Sequence, residues 1–273
     1  MKKYHVCATI AASDPSGGAG IQADIKTFSA LGCYATSVIT AITVQNTQKV
    51  YETVPLDGNL VYEQGSALFG DISPEALKIG ACGSKEVVDA IVRLLKEHKP
   101  PFTVLDPVMV SSSGSKLLSD EGVETMKARL FPLCDLVTPN IPELARLSGK
   151  SGIANLEEAV ECGRLVMANT KCGAILAKGG HWSGLPTDIL ISPYGETAFQ
   201  GRRISTRNDH GTGCTLSSAI AAFTALGAEL PTAVENAKSY LQKALENGAD
   251  VQMGKGRGGM NHFFSPTPLI YKI

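Results

Sequence analysis

The sequence predicts a three-layer α/β/α sandwich, with a mainly parallel central sheet and helices on both faces. Three observations carry this. Short runs of apolar and β-branched residues alternate with longer stretches of helical period, the pattern of repeated strand–helix units. The strand-like runs are apolar throughout rather than alternating, as strands covered on both faces require. No linker, repeat or low-complexity stretch divides the 273 residues, and a hydrophobic content of 44% supports one large core, so residues 1–273 read as a single domain.

In chain order, Tyr4 to Ala12 reads as a buried strand and Ser13 to Gly20 as a turn. A helix follows from about Ile21 to Leu31, with Ile21, Ile25, Phe28 and Leu31 on one face and Gly32 as its stop. Ala35 to Val44 is β-branched and strand-like, and Asp57 to Phe69 has helical spacing. Ala76 to Ile79 is a short strand. Val87, Val88, Ile91, Leu94 and Leu95 mark an amphipathic helix that ends before Pro100-Pro101.

Phe102 to Leu105 is a strand, Glu121 to Leu130 a helix and Leu136 to Thr138 a strand stopped by Pro139-Asn140. Leu156 to Ala168 is a helix, and Ala174 to Ala177 a strand that leaves through Lys178-Gly179-Gly180-His181. Asp188 to Ser192 and Thr197 to Ile204 pair antiparallel. Helices then start at Gly211 and at about Thr232, the second running to Asn247, and a glycine-rich tail over 254–259 is expected to be ordered only in part.

Net charge is −1, which offers no attraction for nucleic acid or an anionic membrane. The seven cysteines are odd in number, scattered and without a CxxC pair. That excludes a disulfide framework and a zinc site and fits a reducing cytoplasm.

In a parallel sheet, ligands sit beyond the carboxyl ends of the strands. Asp14, Gln45, Asp106, Asn140 and Lys178 all fall there. The run Gly211-Thr212-Gly213-Cys214 is a tight turn opening a helix, whose first N–H groups and positive dipole end favour an anion. Cys214 lies in that first turn, where a thiolate is expected to be stabilised; the plainer alternative is a packed turn with a buried cysteine. Lys178 can neutralise a phosphate as a point charge. Asn140 and Glu143, three apart, either orient water around Mg²⁺ or form a helix capping box.

Gly18-Ala19-Gly20 with Ala23 matches the dinucleotide fingerprint, but five residues separate it from the strand and no acidic residue follows at the distance a ribose needs. A P-loop is absent: Gly149-Lys150-Ser151 lacks its upstream glycine.

Taken together, Ser13-Asp14, Gly17 to Asp24, Gln45-Asn46-Thr47, Asp106-Pro107-Val108, Thr138-Pro139-Asn140 with Glu143, Lys178 to His181 and His210 to Cys214 resemble the bacterial hydroxymethylpyrimidine/phosphomethylpyrimidine kinases of thiamine biosynthesis. These belong to the ribokinase-like superfamily, and the resemblance spans nearly the whole chain. It implies ATP- and Mg²⁺-dependent phosphorylation of 4-amino-5-hydroxymethyl-2-methylpyrimidine and then of its monophosphate, by a cytoplasmic homodimer. It implies Gly211, Thr212 and Gly213 as the anion hole and Cys214 as the catalytic base. Gln45, Asp14, Gly18, Ala19 and Val108 are implied to bind substrate. Lys178, Asn140, Glu143 and Asp106 are implied to serve the nucleotide, with Asn140 and Glu143 reaching Mg²⁺ through water.

Gln45 carries both an amide donor and an acceptor, which suits the ring nitrogen and exocyclic amine of an aminopyrimidine. Two positions depart from the family pattern. Ala81-Cys82 replaces a usual Met-Leu, which shrinks one apolar wall, and Asp209 stands where threonine is common. Other readings are a pyridoxal or pyridoxine kinase of the same superfamily, a dinucleotide-dependent oxidoreductase, and a binding protein that has kept the fold.

Overall fold

The computed structural model describes residues 2–110, 114, 116–180, 182 and 184–272. The chain opens with a two-residue strand, β1 (Lys3–Tyr4), and the first internal strand, β2 (Val6–Ser13). There follow α1 (Gly20–Ala30), β3 (Tyr34–Gln45), β4 (Val50–Pro55), α2 (Gly58–Asp71), β5 (Ala76–Ile79), α3 (Lys85–His98) and β6 (Thr103–Leu105). Next come α4 (Asp120–Thr125), β7 (Leu136–Val137), α5 (Ile141–Ser148), α6 (Leu156–Thr170) and β8 (Ile175–Ala177). The hairpin β9 (Thr187–Ser192) and β10 (Gly195–Gln200), the helices α7 (Thr212–Ala225) and α8 (Leu230–Gly248), and β11 (Tyr271–Lys272) complete it.

Nine strands form the central sheet in the order β10-β9-β8-β7-β6-β5-β2-β3-β4. Every pairing from β8 to β3 is parallel, and antiparallel strands close both edges. Successive side chains of each strand enter different cores, as period two demands. Leu77 and Ile79 of β5 pack with α2, α3 and α6, whereas Ala76 packs with α1, α7 and α8. Lys78 shares the face of Ala76. This is the expected three-layer sandwich.

The helices start where the sequence can cap them. Asp57 and Ser84 accept backbone N–H bonds at the heads of α2 and α3, and Lys96 and His98 sit at the negative end of α3. α7 carries no charge at all; its Ala, Ser and Thr residues let it lie flat on the sheet, with nine of its residues from Thr215 onward buried.

Four local features depart from the sequence reading. β4 is an additional edge strand between the expected strand and the expected helix, with Tyr51, Glu52 and Val54 exposed. The helix expected over Glu121–Leu130 stays α-helical only to Thr125 and widens into a π turn over Met126–Leu130; Pro132 lacks the N–H needed to continue it. The second hairpin strand ends at Gln200, not Ile204. A Cβ on Gly201 would lie 2.4 Å from Gln242 of α8, so the chain passes α8 and leaves the sheet there.

Fourth, the glycine-rich tail is built into the fold. Arg257 N–H donates to Thr47 O at 2.8 Å and His210 N–H to Gly258 O at 3.0 Å. A Cβ on Gly256 would lie 2.0 Å from Thr47 O, so glycine is what permits this approach. Beyond it His262 is buried, 3.0 Å from Thr215 Oγ1.

Candidate active site

A cavity of about 510 Å³ opens at the carboxyl ends of β2, β3, β6 and β8, with the N-terminus of α7 in its wall. Of the residues expected there, Asp14, Ala19, Gln45, Asp106, Val108, Asn140, Glu143, Lys178 and Gly211 to Cys214 all line it. Gly18 does not. It lies behind, where a Cβ would meet His210 Cδ2 at 2.4 Å. His181, of the Lys178 to His181 motif, lies outside the described residues.

Asp14 organises the first loop. Its Oδ1 accepts from Ser16 N–H and Oγ–H at 2.8 and 2.7 Å, and its Oδ2 accepts from Ala19 N–H at 2.9 Å. A protein carboxylate thus fills the glycine turn at the head of α1, the place a pyrophosphate would take in a dinucleotide fold.

His210 Nε2 stands 2.9 Å from Asp14 Oδ2 and 3.1 Å from the Gln45 amide nitrogen as placed. The Gln45 carbonyl accepts from Thr43 Oγ–H at 3.2 Å, so one amide hydrogen and one carbonyl lone pair of Gln45 are left for a ligand. Burial alone would raise the Asp14 carboxyl; the bonds from His210, Ser16 and Ala19 outweigh it and hold it at about 2. Gln45 reaches this position through a β-bulge: the β3–β4 register shifts between Val44 and Gln45.

Gly211 adopts φ 84° at the head of α7, and a Cβ there would lie 1.8 Å from Gly18 O. Glycine is therefore required, and the turn aims the N–H groups of Thr212, Gly213 and Cys214 ahead of the first intrahelical bond, Thr215 N–H to Gly211 O at 2.9 Å. Lys178 Nζ donates to Asp106 Oδ1 at 2.6 Å, both side chains being nearly buried. The pair abuts the helix end: a Cβ on Gly213 would sit 3.1 Å from Asp106 Oδ2 and from Lys178 Nζ. An anion at the helix head therefore meets a fixed cation.

The expected thiolate needs correction. Burial pushes the Cys214 thiol above its ordinary 9.0, with Asp24 and Asp106 adding to the rise and Lys78 and the Gly20 N–H opposing it. Desolvation outweighs the helix terminus, so the resting sulfur is a thiol. Among the seven cysteines only Cys214 is not buried.

Asn140 and Glu143 form a full capping box on α5: Glu143 N–H donates to Asn140 Oδ1, and Asn140 N–H to Glu143 Oε2, both at 2.8 Å. Both also line the cavity. Burial lifts the Glu143 carboxyl to about 7, against the pull of Lys178. Among the described residues no group of three or more His, Cys, Asp or Glu is arranged to hold a metal ion. Glu143 with Asn140 fits a Mg²⁺ carried mainly by nucleotide phosphates and water, and does not fit a cation caged by protein.

Asp209 is held by Arg257, whose Nε donates to its Oδ1 at 2.7 Å and whose second arm takes Oδ2. Its charge is thereby matched, and both residues line the cavity. His210, Arg257 and the buried pair Lys78–Asp24 had no role in the sequence reading. Lys78 carried a signal even so: a charge within an otherwise apolar strand has to be paired.

A family model described as phosphomethylpyrimidine kinase matches residues 14–261. The hydroxymethylpyrimidine/phosphomethylpyrimidine kinase of Escherichia coli K12 is 43% identical over 264 residues, covering 96% of this chain and 98% of its own. The crystal structure of a phosphomethylpyrimidine kinase from Clostridium difficile 630 superposes with a TM-score of 0.78 at 42% identity, over 88% of this chain and 98% of that one. A pyridoxal kinase from Staphylococcus aureus, solved with AMP-PCP, superposes with a TM-score of 0.88 at 27% identity, over 96% and 95%.

Proposed function

The chain belongs to the phosphomethylpyrimidine kinase family, and from that premise we propose that it phosphorylates 4-amino-5-hydroxymethyl-2-methylpyrimidine with ATP, then phosphorylates the monophosphate, for thiamine biosynthesis. The observation that carries this reading is that Gln45 and Cys214 line one cavity together with the head of α7 and Lys178. Gln45 offers a donor–acceptor pair to the aminopyrimidine edge, with Ala19 and Val108 beside it. The hydroxymethyl group then lies toward Cys214.

Phosphoryl transfer needs alignment and charge neutralisation more than covalent help. The N–H groups of residues 212–214 receive the equatorial oxygens, and Lys178, braced by Asp106, adds a fixed positive charge. Mg²⁺, when bound, neutralises nucleotide phosphate charge, and Glu143 with Asn140 would hold its water shell. Cys214 takes the hydroxyl proton in its anionic form, so the thiolate fraction governs this step.

A panel of hydroxymethylpyrimidine, its monophosphate and pyridoxine, with ADP release and product mass measured for each, tests the proposal. Clear preference for pyridoxine overturns it. The solved pyridoxal kinase is the weaker guide at 27% identity, and the carboxylate in the first glycine turn argues against a dinucleotide oxidoreductase.

A homodimer forms part of the proposal. Ile42 and Val54, register partners on β3 and β4, are 45% and 46% exposed, and Val44 on the same face is 51% exposed. An apolar face at a sheet edge suits a second copy. Among the described residues no helix is long and apolar enough to cross a membrane. The free thiols suit the cytoplasm.

A further inference from the structure

Behind the cavity wall, α1, β5 and α7 meet at two fully buried charges. Lys78 Nζ donates to Asp24 Oδ1 and Oδ2 at 2.9 and 2.8 Å, and neither side chain has any exposure. Asp24 also accepts from Thr9 Oγ–H at 2.6 Å and from Ser218 Oγ–H at 2.7 Å, so both its oxygens are fully engaged. Ser218 lies one helical turn after Cys214, and the pair therefore sits under the same face of α7 as the sulfur. Gly80 leaves room beside the ammonium, since a Cβ there would lie 2.7 Å from Lys78 Nζ.

A buried pair of this kind contributes little to stability by itself, because desolvation consumes most of its attraction. Its position is better explained by what it faces. The charges around the Cys214 sulfur are Lys78 from β5, Asp24 from α1, Asp106 at the end of β6 and Lys178 at the end of β8, together with the Gly20 N–H. Through Asp24 and Ser218 the ammonium is tied to the turn of α7 that carries Cys214, and a positive charge there favours the thiol's anion.

We propose that Lys78 is a positioning residue for Cys214: its ammonium, locked in place by Asp24, eases formation of the anionic sulfur that accepts the substrate's proton. The inference rests on the reading of Cys214 as base. In that step the hydroxymethyl O–H proton passes to Sγ, the oxygen forms its bond to the γ-phosphorus, and the phosphorus–oxygen bond to ADP breaks.

The test measures the thiol directly. Cys214 is the one cysteine that is not buried, so its alkylation by iodoacetamide, followed by mass spectrometry across neutral and alkaline pH, reports its thiolate fraction. Lys78→Met is expected to raise the apparent pKa by about one unit or more, slowing alkylation near neutral pH about tenfold. The double variant Lys78→Met/Asp24→Asn leaves no unpaired buried charge, and is expected to shift the pKa in the same direction by less. The double variant decides the matter where the single one does not fold. An unchanged alkylation profile in a variant that keeps the parent circular dichroism and nucleotide binding overturns the proposal. A Cys214→Ala variant with undiminished turnover would remove the base assignment alone, leaving the alkylation shift intact.

Discussion

Arg257 grips Asp209 with both arms of its guanidinium, the Nε–Oδ1 distance being 2.7 Å. An acidic residue next to a phosphate-binding turn would repel its ligand, and Arg257 cancels that charge from 48 residues further along the chain. Arg257→Ala exposes the carboxylate and is expected to raise KM for ATP about tenfold, equivalent to about 1.4 kcal/mol. Adding Asp209→Asn should restore most of the loss. Steady-state kinetics on both single variants and the double variant measure the coupling.

Cys214→Ala is expected to lower kcat by roughly 10²- to 10⁴-fold, the usual worth of a general base. ATP binding should persist in calorimetry, since the N–H groups of α7 and Lys178 remain. Because burial holds the thiol above 9.0, the parent kcat should climb with pH through the alkaline range, and the variant should lose that climb.

Glu143 rests near half-ionised at neutral pH, its carboxyl lifted to about 7 by burial. A divalent cation needs the carboxylate. The Mg²⁺ concentration for half-maximal activity should therefore fall as pH rises through 7, and should become pH-independent and higher in Glu143→Gln. Mg²⁺ titrations of the initial rate at several pH values decide this.

Asp14 is depressed from an ordinary 3.8 to about 2. A depressed carboxyl stabilises the fold above its unfolded pKa, and this contribution is lost as pH falls through the folded one. Between pH 3.8 and about 2 the protein should lose roughly 2 kcal/mol through this group. Urea unfolding over that interval should show a shallower decline in Asp14→Asn.

The exposed pair Ile42 and Val54 supplies a further prediction. Ile42→Asp/Val54→Asp should convert a dimer to a monomer in light scattering, while secondary structure is retained. A parent protein that is monomeric at every concentration tested would remove the interface.

Most of the sheet was legible because its strands are buried on both faces, and runs such as Ala76–Ile79 have few other uses. β4 was not, since an edge strand with one wet face has the composition of a loop. Among the site residues, those at strand ends could be named from strand position and motif together. The Cys214 sulfur misled, because a helix terminus can be read from glycines whereas desolvation depends on everything packed around it. Arg257 and His210 act through partners more than 40 and 190 residues distant, and a single sequence does not display such pairings. Lys78 was visible as an anomaly and silent as to its partner.

The tail stapled to Thr47 has a consequence for synthesis on the ribosome. Residues up to about 250 contain all nine strands of the central sheet and every α-helix among the described residues, so a nascent chain can fold most of its core early. The residue that neutralises Asp209, and the Gly258 carbonyl that holds the His210 backbone, emerge only afterwards. Translation order therefore delays a working pocket until residues 257 and 258 have left the exit tunnel, and a chain released before them has no finished site with which to consume ATP.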